Sequence, residues 1–189
     1  RKIESRYWEP VLLRNGQREV AEGRFGPDVF HDFAFDFYRR HSKQPFLFNH
    51  AMVHSHGQNV KQQVVVTPDN RANPPKEEHE LFTGMLRYAD KQVGAIIAEL
   101  ERLDLMKNTI VILASDNGTE KALSARANGR VVQGGLYQIT EAGGNVPLII
   151  HSPALVKGGR TAALADFTDL FPTLCELAGT APPSSLKID

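Results

Sequence analysis

Cysteine is almost absent from this 189-residue sequence. Cys175 stands alone, which excludes an internal disulfide and any multi-cysteine zinc or iron–sulfur site. A single cysteine fits a reducing compartment and equally a bridge-free periplasmic protein. Charge of either sign in excess is also missing: 22 Lys and Arg balance 22 Asp and Glu. Phosphate-backbone binding leans on clustered surplus cations, so nucleic acid is not the expected partner. No apolar run approaches the roughly 18 residues a membrane-spanning helix needs. There is no initiator Met, basic leader or apolar signal core at Arg1-Lys2-Ile3, so either a removed leader or an upstream part is expected. What is present, 41% hydrophobic and 23% charged residues, suits one globular domain or a piece of a larger one.

Short apolar runs around Trp8 and Val11-Leu12-Leu13, broken by Asn15-Gly16, read as a peripheral loop or hairpin. From Pro27, the spacing of Val29, Phe30, Phe33 and Phe37 predicts an amphipathic helix, with Arg39, Arg40 and His41 where its dipole favours cations. Pro45 to Val53 is mostly apolar and of strand length, and reads as a buried strand leading into a polar, histidine-bearing loop. Leu81, Met85, Ala89, Val93, Ile96, Leu100 and Leu103 trace one stripe of a long helix. Thr109 to Ala114, β-branched and without polar alternation, predicts a strand covered on both faces. Residues 115 to 145 read as a long functional loop, Val146 to Ile150 as a strand, and Phe167 to Ala178 as a helix closed by Gly179. The expected fold is α/β: a mixed, mostly parallel central sheet sandwiched between helices, with no internal boundary over residues 1–189.

Ligand sites in such sheets lie where strand carboxyl ends meet loops. Ser115-Asp116-Asn117-Gly118 follows a strand directly, and its carboxylate and carboxamide are the hard oxygen donors calcium and magnesium prefer. The same tetrapeptide is also an ordinary turn signal. His50, His54 and His56 follow another strand; His54 and His56, two apart, could bind zinc or donate to an anion, or could simply be solvated. Thr140 to Pro147 could hold an anion on its glycines or only turn the chain. Cys175, among apolar neighbours with no activating histidine, reads as a core residue.

Taken in order, several of these segments resemble the sulfatase family of the alkaline-phosphatase-like superfamily. The pieces are Pro45-Phe46-Leu47-Phe48 with Met52-Val53 and Ser55-His56-Gly57, Thr67-Pro68-Asp69, and Lys107 to Val111 running into Ser115-Asp116-Asn117-Gly118-Thr119. Asn128-Gly129-Arg130, Gly134-Gly135, Glu141-Ala142-Gly143, Val146 to Ile149 and Asp166 to Leu174 continue the series. The resemblance implies that Asp116 and Asn117 are late ligands of a divalent cation, usually calcium. It implies that His56 hydrogen-bonds the sulfate group or the leaving oxygen. It implies a sulfated small molecule or glycan as substrate and a periplasmic or secreted location.

Two departures qualify it. The family's nucleophile is a formylglycine made from Cys or Ser in a C/S-x-P-x-R motif, and no Cys or Ser begins that pattern. The chain is therefore expected to be roughly the second half of a sulfatase catalytic domain, inactive alone and prone to self-association through an exposed sheet edge. Leu136 follows Gly134-Gly135 where the family usually has a sulfate-binding lysine; Lys121 is a conceivable substitute. A non-catalytic sulfatase-like binding module and a phosphoesterase or phosphonate hydrolase of the same superfamily remain open as alternatives.

Overall fold

The structure is a computed structural model, and it describes residues 6–56 and 65–187. Gly57 and the opening Arg1-Lys2-Ile3 lie outside the described residues. The chain forms two compact units, Arg1–Val156 and Lys157–Asp189.

In the first unit, β1 (Val11–Arg14) and β2 (Gln17–Val20) form the expected hairpin. Asn15 and Gly16 both have positive φ, 51° and 81°, the turn whose twist matches paired strands. The first helix, α1 (Gly26–His41), carries Pro27 in its first turn as expected. Of the expected stripe, Val29 is buried and Phe37 packs partly buried against the core, but Phe30 and Phe33 are exposed, and His31, Ala34 and Tyr38 are buried instead. A helix carries aromatics on neighbouring rows, and packing against the second helix, not aromatic content, selects the row that is buried. That second helix, α2 (Glu78–Arg102), buries Met85, Tyr88, Gln92, Ile96, Glu99 and Leu100.

Two apolar clusters result. Ala34, Tyr38, Ile96, Leu100 and Met106 form one, with Phe46, Phe48 and Val111 packed against it. Tyr7, Phe25, Met85 and Tyr88 form the other, against which Trp8, Val53 and Val65 pack.

The segment Pro45–Val53 is a correction: it is extended but pairs with no strand among the described residues. It is also not covered on both faces. Phe46, Phe48, His50 and Met52 are partly buried, while Leu47, Asn49 and Ala51 are exposed, the period-two alternation of a one-faced strand. Apolar content alone could not distinguish the two cases.

Strand β3 (Val111–Ala114) is present but only partly covered, with Ala114 exposed, rather than buried on both faces, and it pairs antiparallel with β6 (Leu148–His151) through Leu113↔Ile149 and Ala114↔Leu148. The α/β class holds, but every strand pairing among the described residues is antiparallel and two-stranded. Continuous apolar strands do not encode the direction of their neighbours, and an antiparallel pair can sit in an otherwise parallel architecture. The stretch 115–145 is more ordered than expected. It contains a hairpin of β4 (Ser124–Ala127) and β5 (Arg130–Gln133) turning on Asn128-Gly129, and a single helical turn, α3 (Glu141–Gly144).

In the second unit, α4 (Phe167–Leu177) begins on an Asp166–Asp169 capping box and ends before Gly179, whose φ is 71°. Cys175 is a half-buried free thiol rather than a fully buried core residue.

Candidate functional site

The Asp116-Asn117 pair sits directly beyond β3, and both side chains are exposed. The backbone around them is fixed on both sides. Ser115 N–H donates to the Pro147 carbonyl at 3.2 Å, continuing the β3–β6 ladder, and the Ser115 hydroxyl donates to the Asn117 carbonyl at 2.9 Å. Gly118 N–H donates to the Gly143 carbonyl at 3.0 Å, and Leu136 N–H to the Thr119 carbonyl at 2.9 Å.

Glycine makes this close approach possible. A Cβ on Gly118 would lie well under 3.0 Å from Ala142 and Gly143 backbone, and one on Gly134 would overlap the Glu120 carbonyl. The glycine cluster of 134–144 therefore has a structural task, holding the Asp116-Asn117 loop by backbone-to-backbone contact. Leu136 is brought to the same place, next to Thr119, with its side chain half-buried. Lys121 is exposed, and its carbonyl accepts from the Gln133 side chain, which leaves its ammonium unexplained by any contact to the loop.

His56 comes from a different segment, and no local pattern around it marks what holds it. Ser55, just before it, has φ of 57°, a turn conformation. Tyr7 is 2% exposed; its hydroxyl donates to the Val53 carbonyl at 2.8 Å and is also hydrogen-bonded by the His56 backbone. Burial pushes the Tyr7 phenol up to about 12, so it stays a neutral donor. One buried phenol thus clasps both ends of the Val53–His56 turn. His50 and His54 do not join His56 as an exposed cluster: their rings point inward, toward His31 of α1 and the aromatic rings of the second cluster.

Among the described residues, no group of three or more His, Cys, Asp or Glu is arranged to hold a metal ion. Asp116 and Asn117 fit a calcium site in donor chemistry but supply only a fraction of the six to eight oxygens that ion takes. Among the described residues, the histidines are not gathered into the zinc site that their spacing allowed.

An exposed carboxylate and carboxamide at the end of a sheet strand, locked by glycines against the following loop, define a strand-end site on an α/β scaffold. Solved structures share that scaffold: the chain is similar to Ps i-CgsB in complex with k-i-k-neocarrahexaose, with a TM-score of 0.69 at 21% identity, covering 93% of this chain and 38% of that one. The fold is alkaline-phosphatase-like. The chain belongs to the sulfatase family, whose model matches residues 7–180. It is 29% identical to N-acetylgalactosamine-6-sulfatase of Canis lupus familiaris over 97% of its length, and 30% identical to steryl-sulfatase of Rattus norvegicus over 82%. It spans 34% of the first of these relatives and 27% of the second. No helix among the described residues is long and apolar enough to cross a membrane.

Proposed function

We propose that this chain is the metal- and sulfate-binding part of a sulfuric ester hydrolase acting on a sulfated small molecule or glycan outside the cytoplasm, as a periplasmic or secreted protein. The observation that carries the reading is Asp116 and Asn117, presented side by side at the end of β3 on a glycine-locked loop, within a chain of the sulfatase family. Asp116 and Asn117 would hold a divalent cation, calcium by family resemblance, whose positive charge neutralises the sulfate ester. His56 would donate to a sulfate oxygen or to the leaving oxygen, with Tyr7 fixing its backbone. The relative named for a 6-sulfated amino sugar supports a sulfated sugar as the substrate class.

The C/S-x-P-x-R motif that would carry the nucleophile has no counterpart in these 189 residues. We place it in a first half of the catalytic domain, this chain being the second half. In the intact protein, turnover of an aryl sulfate should exceed that of the phosphate ester of the same phenol. Asp116→Ala and His56→Ala should each lower it by roughly 100-fold or more. Preference for the phosphate ester would favour the phosphoesterase alternative.

Leu136 favours a second reading, a binding module that has lost its chemistry, because an apolar side chain can neither charge-pair with sulfate nor donate to it. Binding of a sulfated glycan without ester turnover would select that reading.

The exposed β6 side chains Leu148, Ile149 and Ile150 support association of the isolated chain, because contiguous apolar surface and open sheet edges seek cover. Sedimentation should show concentration-dependent association at about tens of micromolar; a dispersed monomer would count against a half-domain.

A further inference from the structure

We infer that His31, His50 and His54 form a proton-operated latch beneath the segment that carries His56: neutral, they let that segment pack onto α1 and α2, and protonated, they release it. The inference begins from buried nitrogens. Among the described residues, Nδ1 and Nε2 of His31, Nδ1 of His50, and Nδ1 and Nε2 of His54 are all inaccessible and have no hydrogen-bond partner. Buried polar atoms in native proteins are nearly always paired, so five together in one region call for a reason.

The placement of the three rings supplies it. His31 lies in the buried stripe of α1, its ring tilted 55° against that of Phe35 at 4.4 Å. His50 lies on the inward phase of the extended segment with Phe46 and Phe48, its ring 6.3 Å from that of His31. His54 lies between Phe25 at 6.1 Å and Tyr88 at 5.9 Å. A neutral imidazole is tolerable among aromatic rings; an imidazolium without water or a carboxylate partner is not.

The surrounding charges do not rescue it. Asp28 and Asp32 of α1 face His31 and favour its protonated form. Asp28 Oδ1, however, already accepts from the Tyr88 hydroxyl and Gln92 Nε2 of α2, and Asp32 is paired with Arg24. Lys91 of α2 lies over the Tyr88 ring and pairs with Asp69, and Tyr7 remains a neutral phenol. Burial, reinforced by the neighbouring histidines, pushes His50 down from its usual 6.5 and His54 down to about 4; burial also lowers His31. A base depressed in the folded state makes the unfolded chain the better proton binder. The latch is therefore fully closed above pH 6.5 and is lost as pH falls from 6.5 toward 4.

The connection to the site is short. His54 precedes His56 by two residues, inside the turn that Tyr7 clasps at Val53 and His56. Expelling His54 opens that clasp. Only the functional consequence rests on the sulfatase reading, since the latch itself is a property of packing.

Trp8 is the sole tryptophan, and its ring lies 5.0 Å from Phe25, the ring that contacts His54. Its emission can follow the latch in the full chain from pH 8 to 4, alongside amide exchange of residues 46–56 and imidazole NMR titration referenced to exposed His79 and His151. The expected result is a cooperative change between pH 6.5 and 4 taking up two or more protons, with exchange in 46–56 rising before α1 and α2 lose protection. His54→Phe should move the midpoint at least one pH unit lower. Independent one-proton titrations near 6.5 in the wild type would overturn the latch, and so would an unchanged midpoint in a folded His54→Phe. If that variant does not fold, the wild-type titrations decide alone. No step of the test reads ester turnover, so its failure leaves the sulfatase reading intact, and an inactive protein leaves the latch intact.

Discussion

Gly118→Ala should destabilise the protein by about 3 kcal/mol, the upper part of the usual range for overpacking, and, on the function proposed above, lower ester turnover of the intact protein by about 100-fold. The new methyl would overlap the Ala142 carbonyl and Gly143 Cα, which are backbone atoms with no rotamer through which to yield. Either the 115–120 loop or the 134–143 loop must then move. Moving the first displaces Asp116 and Asn117 directly; moving the second breaks the Gly118–Gly143 and Leu136–Thr119 hydrogen bonds that fix it. Displacement of about 1 Å is enough for the turnover loss, because catalysis by positioned charge fails with small errors in geometry. Gly94→Ala in α2 is the matching control. No heavy atom lies within 4 Å of its would-be Cβ, and alanine is the better helix former by about 1 kcal/mol, so it should stabilise slightly. Thermal denaturation of both variants with turnover of the aryl sulfate checks the pair. Equal melting temperatures for Gly118→Ala and wild type would mean that the loop is not held as described.

The helices were legible in the sequence because they carry their own boundaries: Pro27 and the cations of Arg39 to His41 for α1, and Gly179 for α4. The strand-end placement of Asp116-Asn117 was legible for a related reason, since a β-branched strand ending in Asp-Asn-Gly needs no tertiary information to be found. The hairpin at Asn128-Gly129 was missed, although it turns on the same dipeptide as Asn15-Gly16, because its four-residue strands show no apolar alternation. Strand direction was not legible. Nor was the support of His56, because the clasp links Tyr7 to Val53 across 46 residues and a lone tyrosine has no local pattern. His31 was hidden for a different reason: its role depends on which row of α1 faces inward, and the aromatic row pointed elsewhere.

The same inward row of α2 places a carboxylate where an apolar residue would be expected. Glu99 has a side chain only 8% exposed, and it holds two arginines. Arg102 grips both oxygens, at 2.7 and 2.8 Å, and Arg39 reaches across from α1 to Oε1 at 2.8 Å. Both guanidinium groups are more than half exposed, so the pairing is asymmetric: water can serve the arginines if the carboxylate is lost, but cannot serve the carboxylate if the arginines are lost. Arg39→Ala or Arg102→Ala alone should cost little, because the other arginine remains on the same carboxylate. The double variant should cost about 3 kcal/mol, clearly more than the sum, because it strands a buried charge. Glu99→Met, which removes the charge and keeps the volume, should cost less than the double variant. The hydrogen bonds and charge of Arg102, then those of Arg39, hold the Glu99 carboxyl well down, at about 2 against the usual 4.5. Its stabilising contribution is therefore complete above pH 4.5 and is lost as pH falls toward 2. Denaturant unfolding of the four variants should show that excess at pH 7 and its disappearance near pH 2 to 3 in the carboxylate-bearing chains, while Glu99→Met lacks that acid-dependent component. Strictly additive costs for the two arginines would show that Glu99 is served by water and is not buried between the helices.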